Sequence, residues 1–432
     1  MTLQAGWAAV EITPPVGTDM GGYWGRPGPS LGIHDPLYGR VLVFELHGQR
    51  VGVISLDLVG LDADVAQQLC ERISARIDSS PENLLLCATH THSGPLSLSF
   101  RGMGEVPVEY VEGLAPMLIE AARQAVDGLA PCHLTTTSVD VEMAINRRAQ
   151  LRTLPGGCDP AGLVPRQAHA LQIATDAGSA VLVHYACHPV ILGGANRLLS
   201  ADWPGSMVGH IEQATGAELA MFINGACGDL NPPLGNADFD VVQQLGMVVG
   251  RAVVEGLSGS QPMLADVIGA THERIDLPLM DPPSALRTAA GASIDSLKLA
   301  IKKAAFSDDL SLRRVPEARL AWARELLSLP REAMRHQSFA IKALRIGKLR
   351  LIGLEGEIFA RYQIDLEHHH ELAWLCGYVG GCVGYIPTAD EYDRGGYEID
   401  DAYKVYPSVL MVSPDAETLV RASIERALAT LG

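Results

Sequence analysis

Leu84-Leu85-Leu86-Cys87-Ala88-Thr89-His90-Thr91-His92-Ser93-Gly94-Pro95 carries an apolar run straight into two histidines and then a Ser-Gly-Pro stop. A short continuous apolar run bounded by polar residues fits a strand buried on both faces. Side chains alternate along an extended backbone, so His90 and His92 are expected on one face. Histidine titrates nearest neutrality and is the commonest metal ligand, so a pair leaving a strand end marks a place for chemistry. A buried structural histidine beside a loop histidine reads the same way, and the H-x-H pattern alone does not separate the two.

The same grammar recurs outward from this stretch. Strands are expected at residues 8–13, 40–46 and 50–58, followed by a helix capped by Asp62 with Val65, Leu69, Ile73 and Ile77 on one stripe. Downstream come a helix at 108–129, a strand at 134–143 that delivers Asn146-Arg147-Arg148, and strands at 170–174 and 180–186 that lead into His188. A helix start is expected at Ser200 or Asp202, with Pro204 in its first turn. A strand at 218–223 ends in Asn224-Gly225-Ala226-Cys227-Gly228-Asp229, and a helix follows at 239–256. Residues 282–334 turn rich in Ala, Leu, Lys and Arg and read as two helices in an excursion over the sheet. Strands at 338–346 and 349–354 lead to Glu355-Gly356-Glu357; a helix through Tyr362, a strand at 372–378 and a helix at 414–431 complete the chain. No fixed-period repeat and no low-complexity linker interrupts it, so residues 1–432 are expected to form one large α/β domain. Its mixed, twisted sheet is layered by helices, with the site at strand ends.

Composition narrows the function classes. Nearly half of the 432 residues are hydrophobic (47%) and 19% are charged, enough for a substantial core. A net charge of −17 disfavours nucleic acid and anionic membrane as partners, since both are polyanions. A small-molecule substrate is the expected partner, and no pattern in the chain encodes an oligomeric state. No apolar segment is long enough for a transmembrane helix, and the N-terminal residues lack the basic and apolar regions of a secretory signal. The eight cysteines are dispersed without a C-x-x-C pair, and those in apolar runs read as small buried hydrophobes. A cytoplasmic location is therefore expected.

Chemistry-bearing residues gather at strand ends: His90 and His92, Arg147, His188, Asp229, Glu357 and Tyr385. A catalytic zinc site needs three or four nitrogen or oxygen ligands and an open position. His90, His188 and Glu357 offer two imidazoles and a carboxylate, with Glu355 as a rival carboxylate and Arg148 as a rival to Arg147. Spacing alone does not select that set from 14 histidines and 50 acidic residues. Asp229 fits a turn as well as a ligand-supporting role. His368-His369-His370 reads as a solvated helix face, and Gly193-Gly194 and Gly380-Gly381 lack phosphate-loop spacing.

These motifs together resemble the catalytic domain of the neutral/alkaline (non-lysosomal) ceramidase family. The resemblance rests on Glu11-Ile12-Thr13-Pro14, Met20-Gly21-Gly22-Tyr23, Gly32-Ile33-His34, the Ala88–Pro95 run, Asn146-Arg147 and His188. It continues through Gly228-Asp229-x-x-Pro232, Gly356-Glu357 and Gly384-Tyr385-Ile386-Pro387-Thr388-Ala389-Asp390-Glu391-Tyr392, with Tyr397 beyond. It implies one Zn2+ per chain held by His90, His188, Glu357 and Tyr385. It implies His92, Arg147 and Tyr397 as polar groups around the scissile bond, His92 passing a proton and the other two donating to an oxyanion. His34, Asp229 and Asn231 are implied as supporting or substrate-binding groups.

The implied function is zinc-dependent hydrolysis of a C–N amide (N-acyl) bond by metal-activated water. Two departures from the family's pattern bear on it. Asn231 stands where the family carries serine, so a role for that hydroxyl is absent or changed. The family's longer members add a C-terminal β-sandwich, whereas this chain is expected to be the catalytic domain alone. With aromatics at 5%, the expected substrate is smaller or more polar than ceramide. An ester or lactone hydrolase, or a metal-assisted lyase or isomerase, is the alternative on the same site. A non-catalytic metal-binding protein is the remaining one.

Overall fold

Apolar residues in the strands divide between separate cores by strict alternation, and this division explains the architecture. A computed structural model describes residues 2–148, 162–330 and 335–432. The strands are β1 (Gln4–Glu11), β2 (Tyr38–Leu46), β3 (Gln49–Leu56), β4 (Leu84–Ala88), β5 (Ala130–Asp140) and β6 (Gln167–Thr175). They continue with β7 (Ser179–Tyr185), β8 (Leu219–Asn224), β9 (Ile268–Pro278), β10 (His336–Ile346), β11 (Leu349–Leu354) and β12 (Ala373–Cys376). The larger sheet runs β8-β7-β6-β5-β1-β2-β3-β4, with Gln261–Met263 paired to β5. Its end pairs are parallel and the pairs between are antiparallel, so the sheet is mixed as expected. A smaller mixed sheet runs β9-β10-β11-β12.

Every residue of Leu84–Ala88 is buried. Leu85 and Cys87 join one apolar cluster with Leu42, Phe44 and Val53, and with Leu171, Leu182 and Met221 from the other half of the sheet. Leu84, Leu86 and Ala88 join a second with Leu69, Ile73, Leu114 and Leu118. On the far side, Val181, Val183 and Phe222 pack with Trp203, Met207, Val249 and Val253. The strands therefore sit between an inner core and outer helices, which is why they read as unbroken apolar runs. Burying each such aliphatic side chain stabilises by about 1.5–3 kcal/mol.

The outer helices are α1 (Ala63–Ser74) and α2 (Val108–Asp127) over one half, and α3 (Trp203–Thr215) and α4 (Phe239–Leu257) over the other. Asp202 caps α3, its carboxylate accepting from Trp203 N, and Pro204 lies in the first turn. Asp62 sits at the start of α1 but accepts from Ser99 N and Oγ instead of its own helix. The excursion forms α5 (Ser284–Lys303) and α6 (Ser311–Ser328), packed on each other; the expected end of that segment, 331–334, lies outside the described residues. The chain closes with α7 (Ala360–His369), the short α8 (Tyr397–Asp400) and α9 (Ala416–Leu431). His368 and His369 are exposed at the end of α7, as a solvated face requires. Among the described residues no helix is long and apolar enough to cross a membrane. Seven cysteines are buried free thiols; Cys158 lies outside the described residues.

Candidate metal centre

Strands β4, β7, β8 and β11 end at one place, and the residues just beyond them bring His90, His92, His188, Asp229 and Glu357 together. The fully buried Asn224 carboxamide ties three of these exits. Its Nδ2 donates to Thr89 O at 3.1 Å and Cys187 O at 3.3 Å, and its Oδ1 accepts from Cys187 N at 3.3 Å.

The backbone leaves β4 through a turn. His90 has φ +69°, in the left-handed region that costs a residue with a Cβ roughly 1–2 kcal/mol. His90 and His92 therefore converge through this kink, not through strand alternation as the sequence pattern predicts. Their rings meet edge to face at 4.7 Å, with the two Nε2 atoms 3.1 Å apart. The ligand nitrogens of His90, His92 and His188 lie within 4.8 Å of one another. Glu357 Oε2 is 3.1 Å from His188 Nε2 and 3.5 Å from His90 Nε2.

Hydrogen bonding fixes two tautomers. His90 Nδ1–H donates to Val59 O at 2.5 Å, and His188 Nδ1–H donates to Cys227 O at 2.7 Å and Leu230 O at 2.9 Å. A carbonyl only accepts, so both rings carry a hydrogen on Nδ1 and turn Nε2 toward Glu357. This outer-shell support is what orients a metal-binding imidazole. His92 lacks it: its Nδ1 is buried without a hydrogen-bond partner among the described residues. Burial, with Arg147 next in effect, holds the His188 imidazole down at about 4, so it is neutral at physiological pH. Burial and the neighbouring His90 and His188 likewise hold His92 well below its ordinary value. Two imidazole nitrogens converge on one carboxylate oxygen at 3.1–3.5 Å, an arrangement that a shared cation would hold together. The donor set fits a divalent metal.

Two tyrosines hold Glu357. Tyr406 Oη donates to Oε1, and Tyr378 Oη faces Oε2 at 3.5 Å while its ring stacks on His90 at 3.9 Å. Glu355, the rival carboxylate, accepts from Ala340 N and lies 3.6 Å from Arg274, so among the two only Glu357 reaches the histidines. Tyr385 pairs with Glu357 in a short parallel bridge, and its hydroxyl accepts from Arg147 Nη2 at 2.9 Å. Arg147 also donates to Gly228 O at 2.8 Å, Asn231 Oδ1 at 3.0 Å and Glu398 Oε1 at 2.8 Å. Arg148 turns to Glu391 and to the other oxygen of Glu398. Tyr397 is half-exposed beside Tyr385, ring centroids 6.1 Å apart.

Asp229 lies beneath, accepting from Ala360 N at 2.7 Å and Asn146 Nδ2 at 3.0 Å, and burial raises its carboxyl to about 7. His34 stands apart from the histidines. Its ring stacks on Phe239 at 3.6 Å and its Nδ1 is 2.6 Å from Asp35, on the wall of a separate cavity of about 620 Å3 between α3 and α4. A histidine after the Gly32-Ile33 bridge is carried to that cavity because the bridge pairs with Leu198-Leu199 just ahead of α3.

Sequence reasoning missed Tyr378, Tyr406, Glu398, Asn224 and Gly22. Gly22, at φ +90°, lies against the His92 ring, where a Cβ would come within 2.4 Å of Cγ and Nδ1. Its signal was the Gly-Gly pair before Tyr23. Tyr406 had none, since the segment around it has no periodicity.

A profile described as neutral/alkaline non-lysosomal ceramidase, N-terminal, matches residues 3–244. A neutral ceramidase of Mycobacterium tuberculosis is 24% identical over 451 aligned positions, covering 87% of this chain and 70% of that protein. A neutral ceramidase of Pseudomonas aeruginosa is 25% identical over 247 positions, covering 51% of this chain and 36% of that protein. The crystal structure of the Pseudomonas aeruginosa neutral ceramidase superposes with a TM-score of 0.71 at 18% identity, over 98% of this chain and 73% of that one. A structure titled "Ceramidase complexed with C2" gives the same TM-score and identity and covers 74% of its chain. At that identity the superpositions speak for the α/β fold alone.

Proposed function

The chain belongs to the neutral/alkaline non-lysosomal ceramidase family, and from that premise we propose that it is a zinc-dependent hydrolase of a C–N amide (N-acyl) bond. The observation that carries the reading is the convergence of His90, His188 and Glu357 with both imidazoles turned Nε2-first. These three would hold the metal, with Tyr385 as the fourth ligand that the family resemblance suggests. A Zn2+ held there supplies Lewis acidity, polarising a carbonyl and acidifying water.

The remaining roles fall to the chain's own side chains. Arg147, fixed by four acceptors, and Tyr397, half-exposed beside it, are the donors for an oxyanion. His92 has no carbonyl orienting its Nδ1 and is kept neutral by burial, which suits a proton carrier to the leaving nitrogen better than a ligand. Asp229 and Asn231 support Arg147 from behind. The whole chain acts as one catalytic unit, since a single core cluster draws on residues as distant as Ile12 and Leu428. The buried thiols support a cytoplasmic location, which cell fractionation tests.

The test is metal content with turnover. The purified protein is expected to hold Zn2+ at this centre, to cleave short or polar N-acyl substrates, and in His90→Ala to lose the Zn2+ of this centre together with turnover. Unchanged metal content in that variant would refute the reading. A second reading, an ester or lactone hydrolase or a metal-assisted lyase or isomerase, draws on Asn231. Its carboxamide oxygen occupies Arg147 Nη1 at the position where the family carries a serine. A panel of N-acyl, O-acyl and sugar-acid substrates separates them, because turnover confined to reactions without net hydrolysis would remove the first.

A further inference from the structure

Behind the centre, between the larger sheet and α7, lies a second group of metal-ligand side chains that the proposed reaction does not use. His169 on β6 and His184 on β7 are register partners, and Glu367 reaches them from α7. One ligand atom of each lies within 4.8 Å of the other two. We propose that His169, His184 and Glu367 bind a second divalent cation of the Zn2+ class, which fastens α7 to the sheet.

The hydrogen bonds sort the ring nitrogens. His184 Nε2 faces Leu375 O at 2.8 Å and must donate, which leaves Nδ1 a bare lone pair. That nitrogen is buried in a fully enclosed residue and has no hydrogen-bond partner among the described residues. An orphaned buried acceptor calls for an explanation, and an ion is one of the few available. His169 places Nδ1 against Ser138 Oγ at 2.7 Å and turns Nε2 to Glu367 Oε1 at 3.2 Å. His184 Nδ1 has no partner among the described residues and His169 Nε2 already faces the carboxylate, so a cation here would take one nitrogen from each ring while an oxygen orients the other. Burial and the adjacent His169 hold His184 at about 4, so it is already the neutral ligand form.

The donor chemistry selects the ion. Two imidazoles and a carboxylate suit Zn2+, whereas Ca2+ and Mg2+ take oxygen ligands throughout. Trp374 lies nearly parallel to both histidine rings at 5.6 and 5.7 Å and shields the group from water. Gln363 donates to Glu367 Oε1 at 2.7 Å, and its own Oε1 accepts from Ala226 N at 2.8 Å. The second site is thus one side chain removed from the loop whose Cys227 carbonyl orients His188, though its binding does not depend on the reaction proposed above.

The full chain, stripped with a chelator and dialysed against buffered Zn2+, is read by mass spectrometry of bound metal. His368→Ala/His369→Ala serves as the background, removing the exposed histidines as competing chelators. Two Zn2+ per chain are expected, falling to one in Glu367→Gln, which retains the side-chain volume, and to one in His90→Ala. The double variant is expected to bind none. As a readout apart from stoichiometry, Zn2+ is expected to raise the urea midpoint of His90→Ala and to leave that of His90→Ala/Glu367→Gln unmoved. An unchanged count in both Glu367→Gln and His184→Gln would overturn the site, as would a count of one that His90→Ala abolishes. A count of one that survives His90→Ala and vanishes in Glu367→Gln keeps this site and removes the first.

Discussion

Replacing Gly22 with alanine tests whether the His92 ring is held where it is by a bare backbone. An added Cβ would sit 2.4 Å from His92 Cγ and Nδ1, against an ordinary contact beginning at 3.4 Å, so ring or loop must yield by about 1 Å. The φ of +90° adds a conformational penalty of roughly 1–2 kcal/mol, and overpacking a filled site adds about 1–3 kcal/mol. Gly22→Ala is therefore expected to destabilise by about 2–5 kcal/mol in urea titration. A displacement of that size in the proposed proton carrier is expected to cost about 100-fold in rate. Because His90 and His188 keep their carbonyl partners, metal content is expected to stay at the wild-type value. The assay pairs kcat/KM on an N-acyl substrate with metal analysis of the same preparation. Wild-type turnover and stability in Gly22→Ala would refute the packing reasoning. Loss of metal would refute the separation of His92 from the ligands.

Three further outcomes follow from the same geometry. Tyr406→Phe removes the hydroxyl that donates to Glu357 and is expected to weaken metal binding about 10–100-fold in chelator competition while the fold is kept. Glu398→Gln removes the carboxylate shared by Arg147 and Arg148; breaking such buried pairing costs about 3–5 kcal/mol, read as a drop in the urea midpoint together with kcat. Asp202 is buried and its carboxyl is raised to about 6 from an ordinary value of 3.8. The folded state thus holds its proton over a pH range in which the unfolded chain has lost it. This group's contribution is fully present below about pH 4 and is lost as pH rises through 6, a change of about 3 kcal/mol. Asp202→Asn is expected to flatten that part of the stability profile, and an identical pH slope in wild type and variant would sink the assignment.

The strands were legible because burial on both faces leaves a mark that no single-faced strand does. Leu84–Ala88 is apolar at every position since alternate side chains feed different cores. The same holds for β7 and β8, whose runs end at the residues that build the site. What periodicity does not encode is the path after a strand stops. His90 leaves in a left-handed turn, so the two imidazoles meet for a reason other than the one their spacing suggests. His34 resembles a site residue in its motif, yet a two-residue bridge to Leu198-Leu199 carries it to another cavity. Tyr378 and Tyr406 were invisible because their role lies in a hydroxyl meeting a carboxylate from a different segment. Residue spacing left Glu355 as a rival to Glu357, and the structure separates them: Glu357 reaches the histidines while Glu355 turns to Ala340 N and Arg274.

The site draws His90 from the first quarter of the chain and Glu357 from the last, joined through the bridge to Tyr385. Such contacts are non-local, so the proposed ligand set needs both ends of the chain folded together. The span that matches the family profile ends at residue 244 and holds both proposed ligand histidines without the proposed carboxylate. The proposed cage is therefore complete only where the C-terminal sheet has docked against the first.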